Sequence, residues 1–104
     1  MTDEEFLYIQ GGEYMRCVSS NLSNRIPEET QLMMWYMVDM MDEDKDWLQI
    51  FNLTVKNGVQ YIKHHQEEPE FREECVLLTN NPVEEKVYII LEPGLSTMIL
   101  AEDY

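Results

Sequence analysis

Residues 46–66 read DWLQIFNLTVKNGVQYIKHHQ, and they predict a β-hairpin around which the rest of the chain can be placed. Two runs rich in β-branched and aromatic side chains flank Asn57-Gly58. A two-residue Asn-Gly loop needs positive φ at both positions, which Asn and Gly tolerate well. The turn fixes the register, so Phe51 is predicted to lie opposite His64. The hairpin is therefore the predicted first pair of an antiparallel meander.

The register assigns the hairpin side chains to a core face and an opposite face. The core face is predicted to carry Trp47, Phe51, Leu53, Val55 and Ile62. The opposite face is predicted to carry Leu48, Ile50, Asn52, Thr54, Tyr61, Lys63 and His65. Adjacent residues in a strand point to opposite faces, so His64 and His65 cannot bind one metal ion together. On the core side, His64 is expected to be an interior histidine rather than a catalytic one.

A helix is predicted ahead of the hairpin, over residues 28–42. This stretch contains no Gly or Pro, and Pro27 stands just before it. Glu28 and Glu29 fall in the first turn, where the exposed amides favour negative charge. Residues 32–41, LMMWYMVDMM, are apolar at every position except one, which is wider than the stripe a surface helix needs. One helix face is therefore expected to contact something other than the sheet.

Two adjoining ridges of this helix are candidates for the outward face. One ridge consists of Leu32, Trp35, Val38 or Asp39, and Met41 or Asp42. The other ridge, to which we assign the apolar partner-binding surface, consists of Met33, Tyr36, Met37 and Met40. A methionine-rich surface suits adaptable protein contacts, whereas a methionine-packed interior is the alternative interpretation.

Short strand-like runs separated by turn residues follow the hairpin. They cover 75–79, 86–91 and 97–101, and a weaker run covers 14–19 ahead of the helix. The element order predicts an α+β fold, with one main helix (about 28–42) packed on a largely antiparallel sheet of about five or six strands. With 104 residues and no linker or repeat, the chain is predicted to form a single domain, of which residues 1–12 are a loose N-terminal segment.

Five stretches resemble a known bacterial family. They are RIPEETQLMMW (25–35), DWLQIFNL (46–53), GVQYIKHHQEEPEF (58–71), KVYIIL (86–91) and STMILAEDY (96–104). On these residues the chain is similar to the family known as domain of unknown function 960, from about Arg25 to Tyr104. The resemblance implies a small single-domain protein of Gram-positive bacteria and their mobile elements, and it implies no activity. The family pattern has polar or acidic residues where this chain has Tyr36 and Met40, which favours a partner surface on the helix.

Acidic side chains outnumber basic ones by 21 to 7, and the formal net charge is −14. Seven cations cannot form the basic stripe that binds phosphates, so direct binding to nucleic acid or to an anionic membrane is not expected. Self-repulsion at this charge lowers folding stability, which suggests a functional gain that offsets it. The acidic partner-binding surface is predicted to comprise Asp42, Glu43, Asp44, Asp46, Glu67, Glu68, Glu70, Glu73 and Glu74.

No enzyme activity, cofactor or metal site is predicted. Asp42, Asp44 and Asp46 have the spacing of the first ligands of a calcium-binding EF-hand, but Trp47 stands where the turn requires Gly. No Ser or Cys stands in a pattern typical of an activated nucleophile, and the two cysteines are too far apart for a zinc knuckle or a redox pair. The candidate polar site, should the chain hold one, is the group His64, Gln66 and Glu67.

Two hypotheses from different classes follow. The first is a small acidic binding protein of a phage or mobile element that mimics nucleic acid and blocks the basic groove of a host defence enzyme, such as a restriction or CRISPR nuclease. The alternative is a non-catalytic adaptor or homo-oligomer, a homodimer in its simplest form, that docks through its Met-rich helix while the acidity serves only solubility. The start MTDEEFLYIQ has neither a signal peptide nor a membrane span, so a cytoplasmic location is expected.

Overall fold

The computed structural model describes residues 6–11 and 14–104. Over these residues the chain forms one sheet, two α-helices and a short 3-10 helix. In chain order the elements are β1 (Phe6–Gly11), β2 (Tyr14–Ser19), α1 (Ser20–Arg25), α2 (Glu28–Asp39), β3 (Leu48–Lys56), β4 (Val59–Gln66), β5 (Phe71–Leu77), β6 (Glu85–Glu92), β7 (Leu95–Leu100) and the 3-10 helix (Ala101–Asp103). The strands are ordered β1-β2-β7-β6-β3-β4-β5 in space, and within this described sheet every pair is antiparallel except β2–β7.

The predicted fold class is confirmed: the protein is α+β, with one main helix on a largely antiparallel sheet. The weak run at 14–19 forms β2. The described part of the sheet has seven strands because β1, a strand not predicted from the sequence, pairs along its length with β2. β1 falls inside the segment 1–12 that we predict to be loose, and residues 1–5 and 12 of that segment lie outside the described residues.

The hairpin of β3 and β4 pairs in the predicted register, with Phe51 opposite His64. Phe51 and its core-face neighbours Leu53 and Ile62 are buried, as predicted, whereas Val55 is half-buried near the turn. The prediction for Trp47 is wrong, because its side chain is 52% exposed. Trp47 precedes the first residue of β3, and the alternation of faces holds only within the strand.

The main helix α2 begins after Pro27, as predicted, but it ends at Asp39 instead of residue 42. Met40 is its C-cap, with its N–H donating to the Tyr36 carbonyl at 2.9 Å. The residues that follow leave the helix and form the loop to β3. This early end changes which acidic residues belong to the helix and which to the loop.

The short helix α1 is not among the elements predicted from the sequence. The Ser19 hydroxyl accepts a hydrogen bond from the N–H of Leu22 at 3.2 Å and so caps the first turn. Leu22 is fully buried and contributes to the core from the same side of the sheet as α2. The core consists of Val18, Leu22, Ile26, Met34, Trp35, Met37, Val38, Phe51, Leu53, Ile62, Val87, Ile89, Met98 and Leu100.

The opposite side of the sheet we name the open face. Its strand residues alternate with the core residues, so that Asn52 and Lys63, for example, lie beside buried Phe51 and Ile62 along the chain. Tyr88 also lies on the open face, and the ring of Tyr104 packs edge-on against it with centroids 5.6 Å apart. The helices therefore cover one face of the sheet, and the other remains accessible over much of its area.

Candidate functional site

The two acidic loops of the central strands meet at one end of the sheet. Residues 40–47 connect α2 to β3, and residues 67–70 connect β4 to β5. Because β3 and β4 are antiparallel neighbours, the start of one lies beside the end of the other. The N–H of Glu68 donates to Asp46 Oδ2 at 3.3 Å, which joins the loops directly. We name their carboxylates the acidic end: Asp42, Glu43, Asp44, Asp46, Glu67, Glu68 and Glu70.

Gln66, the last residue of β4, holds both loops through its buried side chain. Its Nε2 donates to the carbonyl oxygens of Asp44 at 2.9 Å and Pro69 at 2.7 Å. Its Oε1 accepts from the backbone N–H of Asp46 at 2.8 Å. A buried amide loses several hydrogen bonds together if either loop moves away from it. The carboxylates of the acidic end are therefore attached to anchored backbone.

The hydrogen-bond network continues from Gln66 into the core. Gln49 Nε2 donates to Gln66 Oε1 at 2.7 Å, so the Oε1 atom of Gln49 is left as an acceptor. His64 Nε2 lies 2.7 Å from this atom and donates to it, which assigns the proton of the neutral ring to Nε2. The His64 ring is stacked on Phe51 at a centroid distance of 4.3 Å, and Phe71 packs edge-on at 5.3 Å. The support of the acidic end thus reaches a buried imidazole.

Burial lowers the pKa of His64 to about 4, and the neighbouring His65 adds to the shift. Within the part of the chain that the structure describes, His64 Nδ1 is buried without a hydrogen-bond partner. Protonation would therefore place a positive charge among aromatic rings with no acceptor at Nδ1. The predicted polar group is divided: His64 and Gln66 are buried supports, and Glu67 is exposed at the acidic end.

The C-terminal end of α2 leads into the acidic end. The last carbonyls of a helix carry partial negative charge, which nearby carboxylates oppose. No basic residue lies in the last turn of α2, and Asp39 of that turn pairs with Arg16 of β2. Lys45 is the one basic residue within the sequences of the two loops. Asp42, the first carboxylate of the acidic end, therefore lies just beyond the end of α2 at which the helix dipole disfavours negative charge.

The two remaining acidic residues of the predicted surface lie elsewhere. Glu73 and Glu74 are exposed residues of β5, which is an edge strand of the sheet. As neighbours in a strand they point to opposite faces. The structure thus brings seven of the nine predicted acidic residues together and separates these two from the rest.

The predicted apolar surface on α2 is only partly at the surface. Tyr36 and Met40 are 57% and 59% exposed, but Met33 is half-buried. The assignment of Met37 to this surface is wrong, because its side chain is buried and its Sδ accepts from Cys75 Sγ of β5 at 3.7 Å. The methionines of α2 therefore serve the core as well as the surface.

Leu32 is the surface residue that the predicted set omits. It is 51% exposed, and it precedes Tyr36 and Met40 by four and eight residues. This spacing places the three side chains on one line along the helix, which we name the apolar ridge. The sequence signal for this line is the four-residue spacing, whereas the predicted set combines positions from two neighbouring lines.

Two further properties concern the described residues. No group of three or more His, Cys, Asp or Glu side chains within 6–11 and 14–104 is arranged to hold a metal ion. In the same part of the chain, each helix falls short of the length and apolar character that crossing a bilayer demands.

Comparisons with known proteins identify a family and a shared fold. The family model described as Staphylococcal protein of unknown function (DUF960) matches residues 15–103. A crystal structure of a protein of unknown function from Enterococcus faecalis is similar, with a TM-score of 0.74 and 16% sequence identity over 86% of this chain and 89% of that chain. This likeness concerns the fold alone. No curated protein matches. The family match confirms the resemblance, begins ahead of Arg25 and spans both acidic loops, and the chain therefore belongs to the DUF960 family.

Proposed function

We propose that this protein is a small non-catalytic binding protein whose acidic end occupies a cationic groove that otherwise holds nucleic acid. The observation that carries the proposal is the anchoring of two acidic loops by the single side chain of Gln66. Duplex DNA presents one negative charge per about 1.7 Å of axis. A protein competitor needs several carboxylates in fixed positions, because ordering mobile groups costs binding free energy.

The position of the loop carboxylates that follow α2 supports the same proposal. Asp42, Glu43, Asp44 and Asp46 follow the C-terminal end of α2, whose last turn has no basic residue. A surface that served only solubility could carry its charge at positions that do not oppose the helix dipole. A role in binding explains why seven of the 21 acidic residues lie together at this end.

We propose that this protein is a product of a phage or mobile element. Its proposed targets are the restriction and CRISPR nucleases of the host. Their channels hold nucleic acid against cationic walls, which match the charge of the acidic end. Long-range attraction between the two surfaces would speed association, and dissolved salt would weaken it.

A competition experiment tests the proposal. Fluorescence anisotropy follows labelled duplex DNA bound to a purified restriction or CRISPR nuclease while this protein is added. We expect displacement of the DNA, and a loss of apparent affinity of at least about tenfold between about 50 and 200 mM salt. The triple variant Asp44→Asn, Glu67→Gln, Glu68→Gln should weaken displacement by about tenfold or more.

The matched control removes the same number of charges away from the acidic end. In the triple variant Glu28→Gln, Glu102→Gln, Asp103→Asn, the affinity should stay within about twofold of the parent protein. Equal losses in both triple variants would show that net charge alone acts and would refute a role for the acidic end. Displacement that does not respond to salt would also count against the proposal.

The apolar ridge supports a second candidate function, that of an adaptor or homo-oligomer. Leu32, Tyr36 and Met40 are each more than half exposed and lie on one line that runs along α2 to its C-cap. Aromatic residues and methionines in such a line are typical of helix faces that contact proteins. The ridge is narrow, however, and three side chains cover much less area than a stable interface requires.

Sedimentation equilibrium separates this candidate from the first. If the ridge holds an oligomer together, Tyr36→Glu with Met40→Glu should reduce the mass to that of the monomer. The control variant, Val76→Glu with Leu78→Glu, introduces the same charge at exposed apolar positions off the ridge and should not change the mass. A parent protein that is already monomeric, and that keeps its target binding after the ridge substitutions, would remove the second candidate.

A further inference from the structure

The open face carries charge of the opposite sign to the chain as a whole. Residues directly opposite each other across β6, β3, β4 and β5 form two neighbouring rows. One row is Lys86, Asn52, Lys63 and Glu74, and the other is Tyr88, Ile50, His65 and Arg72. These rows hold three of the seven Lys and Arg residues and one of the 21 acidic residues. We name Lys63, His65, Arg72 and Lys86 the cationic cluster.

A shallow depression of about 380 Å³ lies beside this cluster. Asn52, Lys63, His65, Arg72 and Glu74 line it from the open face, and the strand residues His64 and Glu73 complete its lining. Neighbouring strands are about 4.8 Å apart, so Lys86 and Lys63 are about 10 Å apart at the backbone with Asn52 between them. The volume and the spacing suit a small ligand rather than a macromolecule.

The cations of the cluster are weakly committed to other partners. Within the described residues, neither Lys63 nor Lys86 makes an ion pair within 4.0 Å, although Glu74 lies opposite Lys63. Arg72 pairs with Glu70 at 3.3 Å, and both of these side chains are more than 70% exposed. Exposed pairs of this kind contribute little to stability, so an incoming anion can replace this one.

Aromatic rings lie on both sides of the row that contains Lys86 and Lys63. Tyr61 is two residues from Lys63 along β4 and therefore on the same face. Tyr88 is two residues from Lys86 along β6, and Lys86 Nζ lies 5.8 Å from the centre of the Tyr88 ring. Tyrosine rings on a sheet surface provide stacking platforms for planar bases. The Tyr88 ring already contacts Tyr104, so Tyr61 is the more available platform.

We propose that the open face binds a small phosphorylated ligand of the nucleotide class. The phosphate contacts Lys63, Arg72 and His65, and the base stacks on Tyr61. The net charge of −14 disfavours a long polyanion, because each added phosphate increases the repulsion while the cluster holds only four basic groups. This inference concerns a face of the molecule that the proposed function does not use, and it goes beyond that function.

Titration followed by backbone amide NMR tests the proposal with four ligands: adenosine monophosphate, inorganic phosphate, adenosine and a single-stranded DNA dodecamer. We expect adenosine monophosphate to shift amides of β4 and β5 and to bind more tightly than the other three ligands. Lys63→Gln should weaken its binding about tenfold, and Tyr61→Leu should weaken it while leaving the weak binding of inorganic phosphate unchanged. Lys45→Gln, which removes one positive charge at the acidic end, should have little effect.

Several outcomes would overturn the proposal. Adenosine or inorganic phosphate could bind as tightly as adenosine monophosphate, or the dodecamer could bind more tightly than it. Lys63→Gln and Lys45→Gln could also weaken the binding of adenosine monophosphate equally. A mass that shows a dimer dissolved by Lys63→Gln would assign the open face to a second copy of the chain instead. Each variant keeps its fold if the unshifted amides of the core match those of the parent protein, which separates lost binding from lost structure.

Discussion

The strand β4 has a buried glutamine at each end, and the two side chains anchor different structures. Gln60, beside the Asn57-Gly58 turn, donates to the Thr54 carbonyl at 2.9 Å and accepts from the N–H of Val83 at 2.8 Å. It fixes the segment ahead of β6. Gln66, at the other end, fixes both acidic loops and receives a hydrogen bond from Gln49.

The two anchors differ in whether their hydrogen bonds lead to a side chain that can be protonated. The hydrogen bonds of Gln60 end on backbone groups, which do not titrate near neutral pH. Those of Gln66 lead through Gln49 to His64, whose pKa burial lowers to about 4. Only the second anchor therefore connects loop structure to the protonation of a side chain.

The largest expected effect comes from removing either anchor. Gln60→Met and Gln66→Met keep the length of the side chain but leave several backbone groups without partners. Each should lower the free energy of unfolding by about 4 kcal/mol, since an unsatisfied buried group costs about 1–3 kcal/mol and surface loops regain some hydration. Urea denaturation at neutral pH measures both. A loss for Gln60→Met but none for Gln66→Met would show that the acidic loops are held by other contacts.

The next effect separates the anchors by pH. Unfolded His64 binds a proton below pH 6.5, whereas folded His64 stays neutral until about pH 4, so stability is lost as the pH falls through this window and is unaffected above it. The parent protein should lose about 3 kcal/mol more than His64→Gln between these pH values.

The control for this measurement is His65→Gln, which removes the half-buried neighbouring imidazole on the open face and should follow the parent curve closely. Protonation of the carboxylates affects all three proteins alike and cancels in the differences. If the parent protein and His64→Gln have parallel stability curves, the buried imidazole is not linked to folding in the way described.

A smaller effect tests whether the β3–β4 turn and the β6–β7 turn, at opposite ends of the sheet, differ as the anchors do. Gly58 and Gly94 have φ of 76° and 77°, and an added Cβ would meet no atom within 4 Å at either position. Gly58→Ala and Gly94→Ala should therefore each cost about 1 kcal/mol from backbone strain alone. Thermal unfolding measures both, and a much larger loss at one position would point to a packing role for that turn.

The smallest effect concerns the two ends of α2. Asp42→Asn, beyond the C-terminal end, should raise stability by a few tenths of a kcal/mol, and Glu28→Gln, in the first turn, should lower it by a similar amount. Both substitutions remove one negative charge, so they have the same effect on net charge. The opposite signs isolate the helix dipole, and the difference should shrink in high salt. If both substitutions change the stability in the same direction, the helix dipole does not disfavour a carboxylate at the acidic end. The functional interpretation of the acidic end would then lose one of its supports.

Local chemistry made much of the fold predictable from the sequence. The Asn-Gly turn set the register of β3 and β4 correctly, and Pro27 with Glu28 and Glu29 marked the start of α2. These signals depend on the φ preferences and charges of neighbouring residues, which a sequence displays directly. The grouping of the two acidic loops also follows from the hairpin, because its register places the end of β4 beside the start of β3.

Features that depend on distant contacts were harder to predict. The burial of Met37 depends on Cys75, and the exposure of Trp47 on where β3 begins. Nothing in the order of residues shows that Gln49, Gln66 and His64 form one network, because the glutamines resemble ordinary surface residues until both strands are in place. The parallel pairing of β2 with β7 likewise joins segments about 80 residues apart in the chain.

That parallel pairing determines when, during synthesis, the sheet can be completed. β7 lies between β2 and β6, so β2 and the meander of β3 to β6 are not joined in one sheet until residues 95–100 leave the ribosome. Met98 and Leu100 of the same strand complete the core under the helices. A nascent chain that lacks β7 exposes one unpaired edge on β2 and another on β6, and such edges invite mispairing. The protein is thus expected to fold only after this strand is translated, with its hydrophobic segments in need of protection until then.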